Sequence, residues 1–276
     1  MTFSHIPALV QTLTSKGFVL IKGKELCVEQ FDALTSQLSD QVLIHGSDRV
    51  GINEDDSIQE VTKGTDYVPP HMEMGRMPEQ PDIASFYCKS PAELGGETII
   101  VDGKAVFEAL SAATRDYFLY NPIKFTAIMD MTYWKRSWGC HSISDVKELI
   151  YSKFNEPCLE FKFLDEDMVS ASFITSAIKK TTKGECYFTN SIFGPYSGDG
   201  GGILTKADGD MIPEEILEEI QVLYKEKSVI IELSAGDLVL LDNRRFMHGR
   251  MPFEGGSRQM YAKFFNLSVI GALYEN

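Results

Sequence analysis

Tyr67-Val68-Pro69-Pro70-His71-Met72-Glu73-Met74 sets a histidine two residues before a carboxylate. In an extended chain, residues i and i+2 project to the same face, so His71 and Glu73 can reach one ion while Met72 points away. Far down the chain, Leu240-Leu241-Asp242-Asn243-Arg244-Arg245-Phe246-Met247-His248-Gly249-Arg250 supplies another histidine in an equally distinctive setting. Two imidazoles and one carboxylate are the ligand set of a mononuclear non-haem Fe(II) centre with open coordination positions. Imidazole suits Fe(II), and the carboxylate adds hard anionic charge. A third ligand from so far away is what a barrel supplies when its first and last strands lie side by side.

His-x-Glu alone is a weak pattern that chance produces often, and a lone histidine is more often a structural or surface residue than a ligand. The histidine inventory narrows the choice. There are five, at positions 5, 45, 71, 141 and 248. His5 and His45 stand in polar N-terminal contexts without a carboxylate at the required spacing, and His141 follows Cys140 in a polar loop.

Taken together, the stretches resemble the taurine dioxygenase/clavaminate synthase-like branch of the Fe(II)- and 2-oxoglutarate-dependent oxygenases. The likeness runs along nearly the whole chain. Gly17-Phe18-Val19-Leu20-Ile21-Lys22-Gly23 looks like the family's opening strand. His71 through Pro81, Phe86-Tyr87-Cys88, Pro91 and Gly95-Gly96-Glu97-Thr98 to Val101-Asp102 looks like its iron-binding core. Gly236-Asp237-Leu238, Asp242 to Arg245, His248-Gly249-Arg250, Pro252-Phe253 and Arg258 look like its closing strands. Three ordered motifs are far more specific than any one alone.

The resemblance implies that His71, Glu73 and His248 bind iron, that the Thr98 hydroxyl bonds the 2-oxoglutarate side chain, and that Arg258 pairs with its distal carboxylate. A guanidinium fork suits that task, because it binds a carboxylate through two parallel hydrogen bonds and stays charged when buried. Met260, Ala262 and Phe264 share a face with Arg258 if this segment is a strand, so the arginine points into an apolar interior and needs an anionic partner. Two departures matter. The carboxylate is Glu73 where many relatives have Asp; it is not the Ala or Gly of related halogenases, which disfavours halogenation. The position four residues past Arg258, where some relatives carry a second arginine, is Ala262.

Composition fits one globular enzyme domain over residues 1–276, with 43% hydrophobic and 24% charged residues. The formal net charge is -14 and no basic run appears, so nucleic acid and anionic membrane surfaces are poor partners. Five cysteines, scattered and without a Cys-x-x-Cys pair, argue against a disulfide framework or zinc site and for a reducing compartment. The start Met-Thr-Phe-Ser-His-Ile-Pro lacks the features of a signal peptide, and no stretch approaches a membrane span, so the expected location is the cytoplasm.

Periodicity predicts helices near Pro7 to Ser15, Val28 to Ser39, Ala105 to Tyr117 and Pro213 to Glu226, with a capping box at Ser142 to Asp145 opening another that ends at Tyr151. Strands are expected at Phe18 to Ile21, 83 to 88, 98 to 102, Val229 to Leu233, Asp237 to Asp242 and Gln259 to Leu267. Short strands, turn residues and few helices suggest a mainly β fold with flanking helices, a two-layered jelly roll. The resemblance implies the same fold, the double-stranded β-helix.

Residues at about 132–202 form the expected substrate-binding insert, since such enzymes vary substrate through loops on a constant scaffold. Tyr133 and Arg136 lie in an aromatic and cationic stretch, and Asn190 and Phe193 precede the glycine-rich run 198–202. That run lacks a phosphate-loop pattern. The resemblance implies oxidative decarboxylation of 2-oxoglutarate by O2 at Fe(II), coupled to hydroxylation of an unactivated C–H bond. The implied substrate is a small molecule, an amino acid or an amino-acid derivative, free or held on a carrier protein. Desaturation or oxidative cyclisation by the same oxidant, and a non-catalytic jelly-roll binding module, are the alternatives.

Overall fold

The computed structural model describes residues 6–23, 26–44, 49–61, 64–154, 156–165, 167–194, 202–255 and 258–275, without the side chains at 136 and 137. Two antiparallel sheets carry the architecture. The larger runs Phe18–Ile21, Leu238–Asp242, Ile83–Ser90, Gln259–Asn266 and Gln41–Leu43, with Gln59–Glu60 also paired to Gln259–Asn266. The other orders Ser228–Ile231, Thr98–Asp102, Phe246–Arg250 and Val68–His71.

The alternation of side chains along these strands builds the core. On Leu238–Asp242, Leu238 and Leu240 pack outward against the helices Ile6–Lys16 and Val28–Leu38 through Leu13, Phe31 and Leu34. Val239 and Leu241 pack inward with Phe86, Met260, Ala262 and Phe264, and meet Ile100, Ile231 and Phe246 of the opposite sheet. A strand covered on both faces must be apolar throughout, which is how Leu238-Val239-Leu240-Leu241 reads. Each such side chain, fully buried, contributes roughly 1.5–3 kcal/mol. Outside the four-stranded sheet, Ile99, Val101 and Met247 pack against Val106, Phe118, Ile220 and Leu223 of three further helices. The result is a mainly β jelly roll with flanking helices. Its sheets are open, so the neighbouring positions of His71 and His248 come from ordinary strand pairing rather than closure of a barrel.

One expected helix is two. Ala105 to Tyr117 breaks into Gly103–Ala109 and Ala112–Tyr120. Ser111 caps the second helix by accepting from the Thr114 amide at 3.2 Å. Glu219, from helix Glu214–Lys227, then accepts from the Ser111 amide at 2.6 Å and its hydroxyl at 3.0 Å. This tertiary staple overrides the continuous helical pattern. The capping box at Ser142 is present and opens helix Ile143–Lys153.

A separate four-stranded sheet, Ile203–Lys206, Ile123–Asp130, Met168–Thr175 and Leu159–Phe163, carries the middle of the chain. Helices Met131–Trp138 and Ile143–Lys153 pack on it through Trp134, Met129, Val146 and Val169. Among the described residues no helix is long and apolar enough to cross a membrane.

Asp242, at the end of a central strand, is buried. Burial raises its carboxyl to about 7, against hydrogen bonds from the Tyr274 hydroxyl at 2.6 Å and the Arg244 amide at 3.0 Å. A carboxyl whose folded pKa lies above its ordinary 3.8 stabilises the fold when protonated and loses that contribution as pH rises toward 7. Asp242→Asn is therefore expected to gain about 2 to 3 kcal/mol relative to the parent protein between pH 5 and pH 8. Urea unfolding at the two pH values measures this, and a difference that does not change with pH removes Asp242 as its source.

Candidate metal centre

His71 and His248 are Cα partners in the register between Val68–His71 and Phe246–Arg250, and their ring centroids are 4.5 Å apart. Glu73 does not share that strand. The strand ends at His71, and Glu73 lies in the following turn, where Met74 adopts a φ of 54°. Extended alternation is thus not what aims Glu73. Asn243 grips the turn instead: its Oδ1 accepts from the Glu73 amide at 2.9 Å, and its Nδ2 donates to the carbonyls of Glu73 at 3.0 Å and Pro81 at 2.9 Å. From the other side, the Met72 amide donates to the Asn190 carbonyl at 2.9 Å and the Ser191 hydroxyl to the Met72 carbonyl at 2.7 Å. The candidate ligand atoms of His71, Glu73 and His248 lie within 4.8 Å of one another, and His248 Nε2 is 3.3 Å from Glu73 Oε2.

The electrostatics suit a divalent ion. Glu73 and His248 are buried; His71 keeps an edge in solvent, yet its ring sits deep in the fold. Burial, then the neighbouring His248, push the His71 imidazole down to about 3 against the pull of Glu73. It is neutral at physiological pH, the state that leaves a lone pair for metal. His71 Nδ1 lies 2.9 Å from the Pro69 carbonyl, so the tautomer that satisfies this carbonyl carries its proton there and leaves Nε2 as the donor atom. His248 Nδ1 is buried without a hydrogen-bond partner among the described residues, and the His248 ring packs 4.6 Å from that of Phe86. Arg49 donates from Nη2 to Glu73 Oε1 at 3.0 Å, with its guanidinium 5.2 Å over the ring of Phe264.

Two arginines cluster beside the end of the strand Phe246–Arg250. Arg258 is buried and donates from Nε to the Gly96 carbonyl at 3.1 Å. Gly96 has a φ of 74°, and a Cβ there would stand 3.1 Å from Arg258 Cδ, so glycine permits this close approach. Arg250 donates to the carbonyls of Gly64 and Asp66 at 3.1 and 2.8 Å. The Arg250 and Arg258 guanidiniums stand 4.9 and 5.8 Å from the Phe253 ring. Burial, then Arg250, pull Arg258 down to about 10, which still leaves it charged. Thr98 is buried and is the register partner of Arg250, as Ile100 is of His248.

The other candidates are dispersed. Tyr133 lies on helix Met131–Trp138, edge-on to Trp138 at 6.3 Å, in the satellite cluster on the middle sheet. The side chain of Arg136 and positions 198–201 of the glycine-rich run lie outside the described residues. Asn190 is buried; its Nδ2 donates to the Ala177 carbonyl at 3.2 Å and its Oδ1 accepts from the Ile192 amide at 3.1 Å and the Tyr224 hydroxyl at 3.2 Å. Phe193 packs edge-on to Tyr224 at 5.8 Å. Its neighbour Gly194 lies against His71, where a Cβ would stand 2.8 Å from His71 Cβ. Asn190 and Phe193 therefore belong to a segment that braces the His71 turn. Sequence reasoning assigned no role to Asn243, although it stood inside a quoted stretch. It passed over Arg49 entirely, because nothing in the spacing around Arg49 marks it.

The model of the taurine catabolism dioxygenase TauD, TfdA family matches residues 3–262. Curated relatives include the dapdiamide synthesis protein DdaC of Enterobacter agglomerans, 23% identical, with 92% of this chain and 83% of the relative covered. A clavaminate synthase-like protein of Arabidopsis thaliana is 22% identical over 68% of this chain and 62% of its own length. Among solved structures, PvcB of Pseudomonas aeruginosa superposes with a TM-score of 0.60 at 12% identity, covering 97% of this chain and 81% of PvcB. An asparagine oxygenase in complex with Fe(II), 2S,3S-3-hydroxyasparagine and succinate superposes with a TM-score of 0.62 at 14% identity, covering 95% and 80%. The structural likenesses carry the fold.

Asn243→Ala deletes the clamp on both backbone groups of Glu73. The expected outcome is a loss of about 2 to 4 kcal/mol in stability and roughly a 10- to 100-fold loss in divalent-metal affinity. Urea unfolding and calorimetric titration of metal-free protein with Mn(II) measure the two effects. Unchanged Mn(II) affinity would show that Glu73 keeps its place without the amide.

Proposed function

The chain belongs to the taurine dioxygenase TauD/TfdA family and is an Fe(II)- and 2-oxoglutarate-dependent dioxygenase that uses O2 on a small molecule, and on that footing we propose that His71, Glu73 and His248 bind its iron. Thr98 and Arg258 hold 2-oxoglutarate. The enzyme hydroxylates an unactivated C–H bond of an amino acid or amino-acid derivative. The observation that carries the iron site is the meeting of three distant donors within 4.8 Å, one of them an imidazole held neutral.

When bound, iron and 2-oxoglutarate supply an oxidant that removes hydrogen from carbon, as O2 is consumed and the keto acid becomes succinate and carbon dioxide. The protein's part is placement and exclusion of water. His248 and Arg250 are two residues apart on one strand, about 7 Å along it, and Thr98 faces Arg250 in register. That span would suit a five-carbon diacid, and Thr98, Arg250 and Arg258 would hold its far carboxylate. A guanidinium that remains charged under burial supplies the counter-ion. Phe86 and Phe264, both in the apolar layer between the sheets and beside His248 and Arg49, keep the metal end of the site dry.

Two of the similar proteins support the substrate class. One relative is named for dapdiamide synthesis, and one solved structure holds a hydroxylated asparagine beside succinate. We place the substrate against the segment from Asn190 to Phe193, with Tyr133 and Arg136 contributing from the 132–202 insert of a single domain spanning 1–276.

His248→Ala is expected to remain folded while losing Fe(II) binding and turnover; full turnover by that variant would remove the proposed ligand set. Arg258→Gln is expected to weaken 2-oxoglutarate binding by roughly tenfold or more, the worth of a charge-assisted fork, with Fe(II) affinity little changed. Anaerobic titration of the Fe(II) protein, followed by the absorption of the iron–keto acid chelate, reads both. A screen of amino acids and their derivatives for succinate release coupled to a mass change assigns the reaction: one added oxygen means hydroxylation, two lost hydrogens mean desaturation or cyclisation.

A further inference from the structure

Arg49 brings a guanidinium into contact with the carboxylate proposed to bind iron. Its Nη2 donates to Glu73 Oε1 at 3.0 Å, and its Cζ stands 5.2 Å over the Phe264 ring. Its other terminal nitrogen, Nη1, is buried and has no hydrogen-bond partner among the described residues. A buried donor left unbonded costs on the order of 1–3 kcal/mol, more on a charged group, and an arriving acceptor recovers that cost. The guanidinium is planar, so Nη1 is held beside Nη2 and hence beside Glu73. The surroundings are apolar: Phe264 lies 6.0 Å from Phe86, which lies 4.6 Å from the His248 ring.

Charge decides what kind of acceptor belongs there. In the loaded site, the two positive charges of Fe(II) are matched by Glu73 and by the metal-chelating carboxylate of 2-oxoglutarate. The distal carboxylate is matched by Arg258, and Arg250 has the Asp66 carboxylate as its neighbouring charge. The charge of Arg49 is then left without a counter-ion in an apolar setting, where an anion is worth far more than a neutral group. Resting on the functional reading above, we infer that Nη1 of Arg49 receives a carboxylate of the substrate. The enzyme accordingly acts on a molecule with a free carboxylate, not on one whose carboxyl group is tied up as a carrier thioester or an amide. Arg49 joins the metal-binding carboxylate to the substrate anion through one rigid plane, so the same group that steadies Glu73 also fixes how far the substrate sits from the metal.

The test uses acetate as the smallest carboxylate and acetamide as its neutral isostere. Each is titrated, without oxygen, into Co(II)-loaded protein saturated with N-oxalylglycine, and the Co(II) ligand-field spectrum is followed. Acetate is expected to give a saturable change and acetamide none. Arg49→Gln is expected to weaken acetate by roughly tenfold, the worth of a charge-assisted hydrogen bond, while N-oxalylglycine binding changes far less. Should Arg49→Gln fail to hold Co(II), Arg49→Lys keeps a cation beside Glu73 but lacks the second nitrogen, and the same loss of acetate affinity is expected there. Equal acetate affinity in parent and variant, equal responses to acetate and acetamide, or no acetate response in the parent protein each overturn the inference. A parent protein that takes up neither Co(II) nor N-oxalylglycine overturns the functional reading as well, which separates the two failures.

Discussion

The pairing of Val68–His71 with Phe246–Arg250 is the constraint from which the site follows. Because His71 and His248 are register partners, their rings meet without any loop having to carry them. Backbone hydrogen bonds and the apolar layer behind them, with Ile100, Phe86 and Phe246, hold the two strands. Precision built on strands outlasts precision built on loops. Glu73 is the exception, and the structure treats it as one. It sits in a turn, and the buried side chain of Asn243 restores through three hydrogen bonds the fixity that a strand would have given.

Phe246–Arg250 also pairs with Thr98–Asp102, and this second pairing places Arg250 opposite Thr98. Thr98 and Arg250 are partners one repeat along from Ile100 and His248, so the candidate metal centre and Arg250 are one strand repeat apart. Arg258 comes from just before Gln259–Asn266, in the opposite sheet, and is admitted by the positive-φ turn at Gly95 and Gly96. The glycines of Gly-Gly-Glu-Thr thereby acquire a physical reason: one lets the backbone approach the arginine, and the threonine that follows lies in the sheet opposite Arg250.

Much of this was legible in the sequence, and the pattern of what was not is physical. The strands Phe18–Ile21 and Thr98–Asp102 and the helix Glu214–Lys227 follow from local periodicity, which burial on one or both faces imposes directly. The histidines stood out because the chain has so few. The break at Ser111 did not, since it depends on Glu219 reaching across from another helix. Met131 to Arg136 read as an aromatic, cationic contact stretch, whereas folding turns Trp134 into the core of the satellite sheet. Its burial depends on Val146 and Val169, which only the tertiary structure brings near. Arg49 and Asn243 were invisible for the same reason. Their roles are relations to Glu73, and no spacing rule encodes a relation between a loop arginine and a turn carboxylate.

Buried charge is where the site's logic is tightest. A carboxylate as enclosed as Glu73 cannot stay ionised without a cation, and Arg49 provides one in the metal-free fold. The guanidinium holds Oε1 while His248 Nε2 lies 3.3 Å from Oε2, so the two oxygens of Glu73 face different partners. His71 is kept neutral by burial and by His248, against the pull of Glu73. The three candidate donors are thus assembled by the fold itself, with the guanidinium of Arg49 fixed beside them.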